Sequence, residues 1–177
     1  MPTRSNATAL VTELQRQMNH ELAAAHAYTA LAVWCYDRNL KGFARYFYKQ
    51  SGEERVHAQK FIDFLHDRGL FPELSPVPGP KTKFKTLVEI ARHARSMEQE
   101  NTAGIERVYE AALKQKDYAA QVLLHWYIQE QVEEEAWCDE MVARAESSTS
   151  EGGMQALDRH IERYLTDRGH EGGEAED

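Results

Sequence analysis

The sequence predicts an all-α protein: an antiparallel four-helix bundle with one long crossover between helices 2 and 3, plus a short C-terminal fifth helix. Three observations predict it. Four long stretches repeat apolar residues at the alternating 3 and 4 spacing of a bundle seam. Short links join the first stretch to the second and the third to the fourth, which makes each pair antiparallel neighbours. Between the pairs lies FPELSPVPGPKTKF, residues 71–84, which holds four of the five prolines and cannot be helical. It is long enough to cross a bundle from end to end.

The first helix runs from about Ala7 to Tyr36 and stops at Asp37-Arg38-Asn39. The second, about Lys41 to Arg68, ends at Gly69, a common residue just past a helix C-terminus. The third opens with Thr86-Leu87-Val88-Glu89, a capping box, and continues to about Gln115. Asp117 caps the fourth, which reaches about Glu146. After SSTSEGG, a fifth amphipathic segment carries Met154, Leu157, Ile161 and Leu165 on one face. That face is expected to pack in a symmetric contact between subunits. The tail, Thr166 to Asp177, is rich in Gly and acid and is expected to be disordered, leaving one domain over residues 1–165.

A chain of 177 residues fits one domain with a real core. Its formal charge of −8 argues against nucleic acid, which calls for a basic face, and suits a cationic partner such as a metal ion. Cys35 and Cys138 match no zinc or redox spacing, so a reduced chain is expected. The stretch MPTRSNATAL lacks the apolar core of a secretion signal, and no window reaches the roughly 20 apolar residues of a membrane span. The expectation is a cytoplasmic protein with no membrane partner.

The chemistry lies where the core stripes turn polar. The first stripe is Leu14, Met18, Glu21, Ala25, Tyr28, Ala32, Cys35; the second is Phe47, Gln50, Glu54, His57, Phe61, Phe64. The third is Leu87, Ala91, Ala94, Glu98, Asn101, Ile105, Val108; the fourth is Ala120, Leu124, Tyr127, Gln131, Glu134, Cys138, Met141. Glu-x-x-His at Glu54/His57 means little alone, because the same acid-to-His spacing recurs at Asp63/His66 and Asp167/His170. Context decides. Each stripe carries a carboxylate near its helix midpoint, so Glu21, Glu54, Glu98 and Glu134 would meet at one level. Four buried carboxylates with no Lys or Arg on the stripes at that level would be prohibitive, since one desolvated, unpaired charge costs several kcal/mol. Two divalent cations would cancel them, with His57 neutral and Gln131 a hydrogen-bond partner. Singly, each Glu would be read as rotated to solvent, His57 as a satisfied histidine, and Tyr28 and Trp126 as packing.

These motifs, QMNHEL, YFYKQSGEERVHAQKF, SMEQE and HWYIQEQVEEE, resemble the ferritins, specifically the non-haem bacterial type, over about Leu10 to Tyr164. The resemblance implies one iron site at Glu21, Glu54 and His57 and a second at Glu54, Glu98 and Glu134, with Glu54 bridging. It places Gln131 and Tyr28 just outside the irons, and Glu53, Glu130 and Glu133, together with Glu134, at a third iron site. Glu134 is followed by Glu135, Ala136 and Trp137, so the second Glu-x-x-His of bacterioferritins is missing. Arg55 stands where bacterioferritin has its haem-ligating Met, so no haem is expected. Gln121 and Leu124 fall where animal ferritins carry acidic channel residues.

Oxygen-rich ligation with one imidazole suits Fe²⁺. The function so implied is a ferroxidase that oxidises Fe²⁺ with O₂ (or H₂O₂) and stores Fe³⁺ as oxyhydroxide mineral in a homo-oligomeric shell of twenty-four subunits. The alternatives are a di-iron oxidase acting on another substrate, which needs an open, partly apolar pocket, and a passive helical bundle that binds no iron in defined stoichiometry.

Overall fold

The computed structural model describes residues 9–148 and 150–171, with side chains through Arg163 in the last helix. Among the described residues five helices follow in order: α1 (Ala9–Asp37), α2 (Lys41–Asp67), α3 (Leu87–Gln115), α4 (Tyr118–Ser147) and α5 (Glu151–Glu171). Residues 7 and 8, where the first helix was expected to begin, lie outside the described residues, as do 172–177 of the expected disordered tail. The remainder of that tail, from Thr166, continues α5 as helix to Glu171.

Local chemistry sets the ends. Thr86 Oγ1 accepts from Glu89 N at 3.2 Å while the Glu89 carboxylate reaches back to Lys85 N at 2.8 Å, a capping box displaced by one residue. Asp117 Oδ1 accepts from Ala120 N at 3.0 Å to open α4. Three C-termini close alike, by left-handed residues at Asn39 (φ 57°), Gly69 (φ 68°) and Lys116 (φ 54°). The next amide in each case bonds back to a carbonyl of the last turn: Leu40 to Cys35 at 3.0 Å, Leu70 to Leu65 at 2.9 Å, Asp117 to Ala112 at 3.0 Å.

α1 pairs with α2 and α3 with α4, and α1 also lies against α3. The crossover is pinned to α1 near both ends. Gln15 Oε1 accepts from Glu73 N at 2.7 Å, Asn19 bonds Glu73 O and Ser75 N, and Trp34 Nε1 donates to Phe84 O at 3.1 Å. Gln15 and Trp34 stand about 28 Å apart along the helix axis, so residues 73–84 span much of the bundle's length.

The apolar core is split in two. One cluster gathers Tyr28, Phe43, Phe47, Cys138 and Ile161; the other gathers Leu14, Met18, Phe61, Ile105 and Tyr127. Between them the stripes contribute the buried polar side chains Glu21, Glu54, His57, Glu98, Asn101 and Gln131.

Two expectations are corrected. Phe64 is only half-buried and Leu65 is fully buried, because a straight 3.6-residue helix drifts about 20° per heptad from the seam spacing. More consequentially, the apolar face of α5 is used within the chain. Leu157 and Ile161 are buried and Met154 packs against the same core cluster, closing the end of the bundle where α2 begins. The side chain of Leu165 lies outside the described residues. Leu40 offers no side-chain cap to α2, and Asp158 supplies one from α5: its Oδ1 accepts from Phe43 N at 2.9 Å. The close approach is made at Gly42, where a Cβ would fall 2.1 Å from the Asp158 carbonyl oxygen.

Candidate metal centre

The polar layer is assembled from all four long helices. Glu54 and His57 sit one turn apart on α2, with Oε2 and Nδ1 3.4 Å from each other. Glu21 enters from α1, and one potential ligand atom each from Glu21, Glu54 and His57 lies within 4.8 Å of the others. All three residues are buried, and Glu21 Oε2, Glu54 Oε2 and His57 Nδ1 find no hydrogen-bond partner outside the cluster they form with one another. Orphaned buried carboxylate and imidazole atoms converging on one point are costly unless something cationic joins them.

Glu98 on α3 completes the buried layer and is well supplied with donors. Tyr28 OH bonds its Oε1, and Gln131 Nε2 donates to its Oε2 at 3.1 Å and its carbonyl at 3.2 Å. Glu134 on α4 is half-buried and accepts from Gln50 Nε2 at 2.9 Å. Tyr127 OH fixes the α2 backbone beneath the site by donating to His57 O at 2.6 Å, and Trp126 and Tyr127 meet the His57 ring edge to face at 5.3 and 5.9 Å. The outer carboxylates are less buried. Glu53 is half-buried and ion-paired to Lys49 at 2.5 Å through one oxygen, Glu130 is half-buried and Glu133 is exposed.

Gln17 is the partner that the stripes did not single out: it is 3 % exposed and its Nε2 donates to Glu21 Oε1 at 2.9 Å. The signal available was its place one helical turn before a buried Glu.

Burial raises the carboxyl pKa of Glu21, Glu54 and Glu98, and for Glu21 and Glu54 a neighbouring carboxylate adds to it: Glu54 for the first, Glu98 for the second. Glu134 is pushed up to about 7 by burial, then by Glu98 and Glu53. A carboxyl whose folded pKa lies above its usual 4.5 holds protons that the unfolded chain releases, so it favours the fold at low pH and loses that contribution as pH rises through the folded value. These four carboxyls therefore favour the metal-free fold at pH 5.5 over pH 8, against an opposing contribution from His20 and His93, whose pKa burial lowers, and thermal scans in chelator are expected to show the higher melting point at pH 5.5. Divalent-metal affinity should run the opposite way and fall below pH 7, because protons compete for the same oxygens.

A four-helix bundle whose core is interrupted by carboxylates from each long helix and one imidazole defines the ferritin-like class. The sequence matches the Ferritin-like domain family over residues 11–148. It is 43 % identical over 127 residues to a bacterial non-heme ferritin of Staphylococcus haemolyticus, covering 72 % of this chain and 76 % of that one. A bacterial non-heme ferritin of Staphylococcus aureus is also 43 % identical over the same length. Among solved structures, an open pore ferritin from the hyperthermophilic archaeon Archaeoglobus fulgidus superposes with a TM-score of 0.85 at 30 % identity, over 88 % of this chain and 97 % of the other. The chain belongs to the ferritin family and is an iron-storing ferritin subunit. No helix among the described residues is long and apolar enough to cross a membrane.

Proposed function

We propose that this subunit is a ferroxidase. Two Fe²⁺ are taken up as substrate, one against Glu21, Glu54 and His57 and the other against Glu54, Glu98 and Glu134, with Glu54 shared. The convergence of orphaned ligand atoms on Glu21, Glu54 and His57 carries the reading. Two Fe²⁺ give two electrons to O₂, which with two protons becomes H₂O₂; H₂O₂ can serve as oxidant in turn. Oxygen-rich ligation favours the Fe³⁺ product and leaves positions open for the oxidant. Tyr28 and Gln131 hold Glu98 in place. The product passes toward Glu53, Glu130 and Glu133, a third iron site, and is stored as oxyhydroxide mineral inside a shell of twenty-four copies.

Exposed apolar side chains, among them Tyr36, Phe71, Leu74, Tyr118 and Val122, support assembly with other subunits. The reading places the protein in the cytoplasm, and Cys35 and Cys138 are buried free thiols. Against an oxidase for organic substrates, the groove of about 570 Å³ between α3 and α4 reaches only Gln131 of the polar layer, and none of Glu21, Glu54 and His57 lines it.

Aerobic addition of Fe²⁺, followed by optical absorbance and electron microscopy, tests oxidation, mineral and shell together. Sedimentation showing monomer alone at micromolar concentration would count against the shell. Replacing Glu130 and Glu133 together with Ala is expected to leave the first rapid oxidation of two Fe²⁺ per subunit intact and to slow later turnovers. Unchanged multiple-turnover kinetics would reduce both to solvated surface.

A further inference from the structure

We propose that Asn101 is a positioning residue of the iron centre, the middle link of a buried amide chain that ties Glu21 on α1 to Glu98 on α3. The inference rests on the ferroxidase reading above and adds to it the means by which two carboxylates from different helices are held before iron arrives.

The chain is made of Gln17, Asn101 and Gln131, from α1, α3 and α4, which are 3 %, 1 % and 3 % exposed. Gln17 Nε2 donates to Glu21 Oε1 at 2.9 Å and also to Asn101 Oδ1. Asn101 Nδ2 donates to Gln131 Oε1 at 3.4 Å, and Gln131 Nε2 donates to Glu98 Oε2 at 3.1 Å. An ionised carboxylate, the form that holds a metal ion, accepts only, so a chain of amides ending on such a group at both ends needs one member that donates both ways. Gln17 is that member, and the direction of every other amide then follows. Taking Asn101 away would orphan the second N–H of Gln17 and the carbonyl of Gln131 at once. Gln17 would keep only its bond to Glu21, and Gln131 only the bonds of its Nε2 to Glu98 and Thr102, so each would carry one buried, unsatisfied group and lose the link that ties the two ends together.

A second feature of α3 points the same way. Gly104, one turn past Asn101, faces Gln17 so closely that a Cβ there would lie 2.0 Å from Gln17 Oε1 and 2.9 Å from its Cδ. The same helix thus supplies both the partner that holds Gln17 and the space it occupies. Placing a methyl group at Gly104 would push the flexible end of Gln17 aside without removing any hydrogen-bonding group and without touching a ligand.

The test uses metal-free full-length protein titrated with Co²⁺, whose visible absorption reports binding without turnover. Wild type is expected to take two Co²⁺ per subunit. Asn101→Leu and Gly104→Ala should each weaken Co²⁺ binding by about 10- to 100-fold, the usual cost of losing a partner that orients a ligand. The double variant should bind no more weakly than the worse single variant, because both changes break one chain. Gly104→Ala guards against a folding defect in Asn101→Leu, since it keeps all three amides; its metal-free melting point should fall less than that of Asn101→Leu while its affinity falls as far. Wild-type affinity in Gly104→Ala, or fully additive losses in the double variant, would overturn the positioning role and leave the metal centre standing. Failure of the wild type to bind Co²⁺ in defined stoichiometry would remove the metal centre and this inference with it.

Discussion

Glu54→Ala is expected to abolish rapid Fe²⁺ oxidation, with a loss well beyond the roughly 10- to 100-fold typical of removing a residue that only orients a ligand. His57→Ala should be less severe, because it strips one iron position where Glu54→Ala strips both. Stability should move the other way. In the metal-free protein Glu54 is a buried carboxyl whose ionised form is disfavoured by burial and by the neighbouring Glu98, in a layer that holds no Lys or Arg among the described residues. Deleting it relieves desolvation and like-charge repulsion and leaves a small cavity, so the metal-free variant should melt no lower than the metal-free wild type. A ligand that binds only the folded state stabilises it by about 2.7 kcal/mol at a free concentration of 100 times its Kd. Redox-inert Zn²⁺ should therefore raise the wild-type melting temperature by several degrees and that of Glu54→Ala by much less. Strong destabilisation of the metal-free variant, with equal responses to Zn²⁺, would mean that the cluster is a structural polar layer.

The readable parts of this molecule were those whose cause is local. Thr86, Asp117 and Gly69 act within a few residues of themselves, and the helix ends they mark fall where the sequence places them. The carboxylates Glu21, Glu54 and Glu98 were legible as interruptions of an otherwise apolar stripe, and all three are buried in one polar layer. What escaped depends on a partner distant in sequence. Gln17 sits off the stripe, and a Gln on a helix is ordinarily solvated; its burial follows from Asn101, 84 positions away. The seam spacing points to Phe64 where Leu65 is the buried residue, because that spacing only approximates a straight helix. The apolar face of α5 was legible as a buried face, but periodicity does not say what covers it. The end of the bundle where α2 begins covers it, in place of a contact between subunits. Gly42 and Gly104 carried no message by themselves. Each is explained by what stands against it.

Gly42 therefore yields the sharpest structural expectation, because a second glycine on the same helix provides the opposite sign. Gly42→Ala would place a methyl 2.1 Å from the Asp158 carbonyl oxygen and 3.0 Å from its carbon, both backbone atoms of a helix that cannot yield like the end of a side chain. α5 must lift. Leu157 and Ile161 then lose their cover, at about 1.5–3 kcal/mol each, and the Asp158 cap on Phe43 N goes with them, at about 1 kcal/mol. Asp158→Ala alone should show only that last, smaller loss. At Gly52 nothing stands within 4 Å of a Cβ, so Gly52→Ala should stabilise by about 0.5–1 kcal/mol through reduced freedom of the unfolded chain. Thermal melts on samples of matched oligomeric state, with proteolysis directed at α5, separate the three variants. Below its lowered melting point Gly42→Ala should still bind Co²⁺ like wild type, because Gly42 lies three turns from Glu54, about 18 Å along α2. A wild-type melting point in Gly42→Ala would show that α5 does not depend on this contact; loss of Co²⁺ binding in the folded variant would show that the bundle end and the polar layer are coupled.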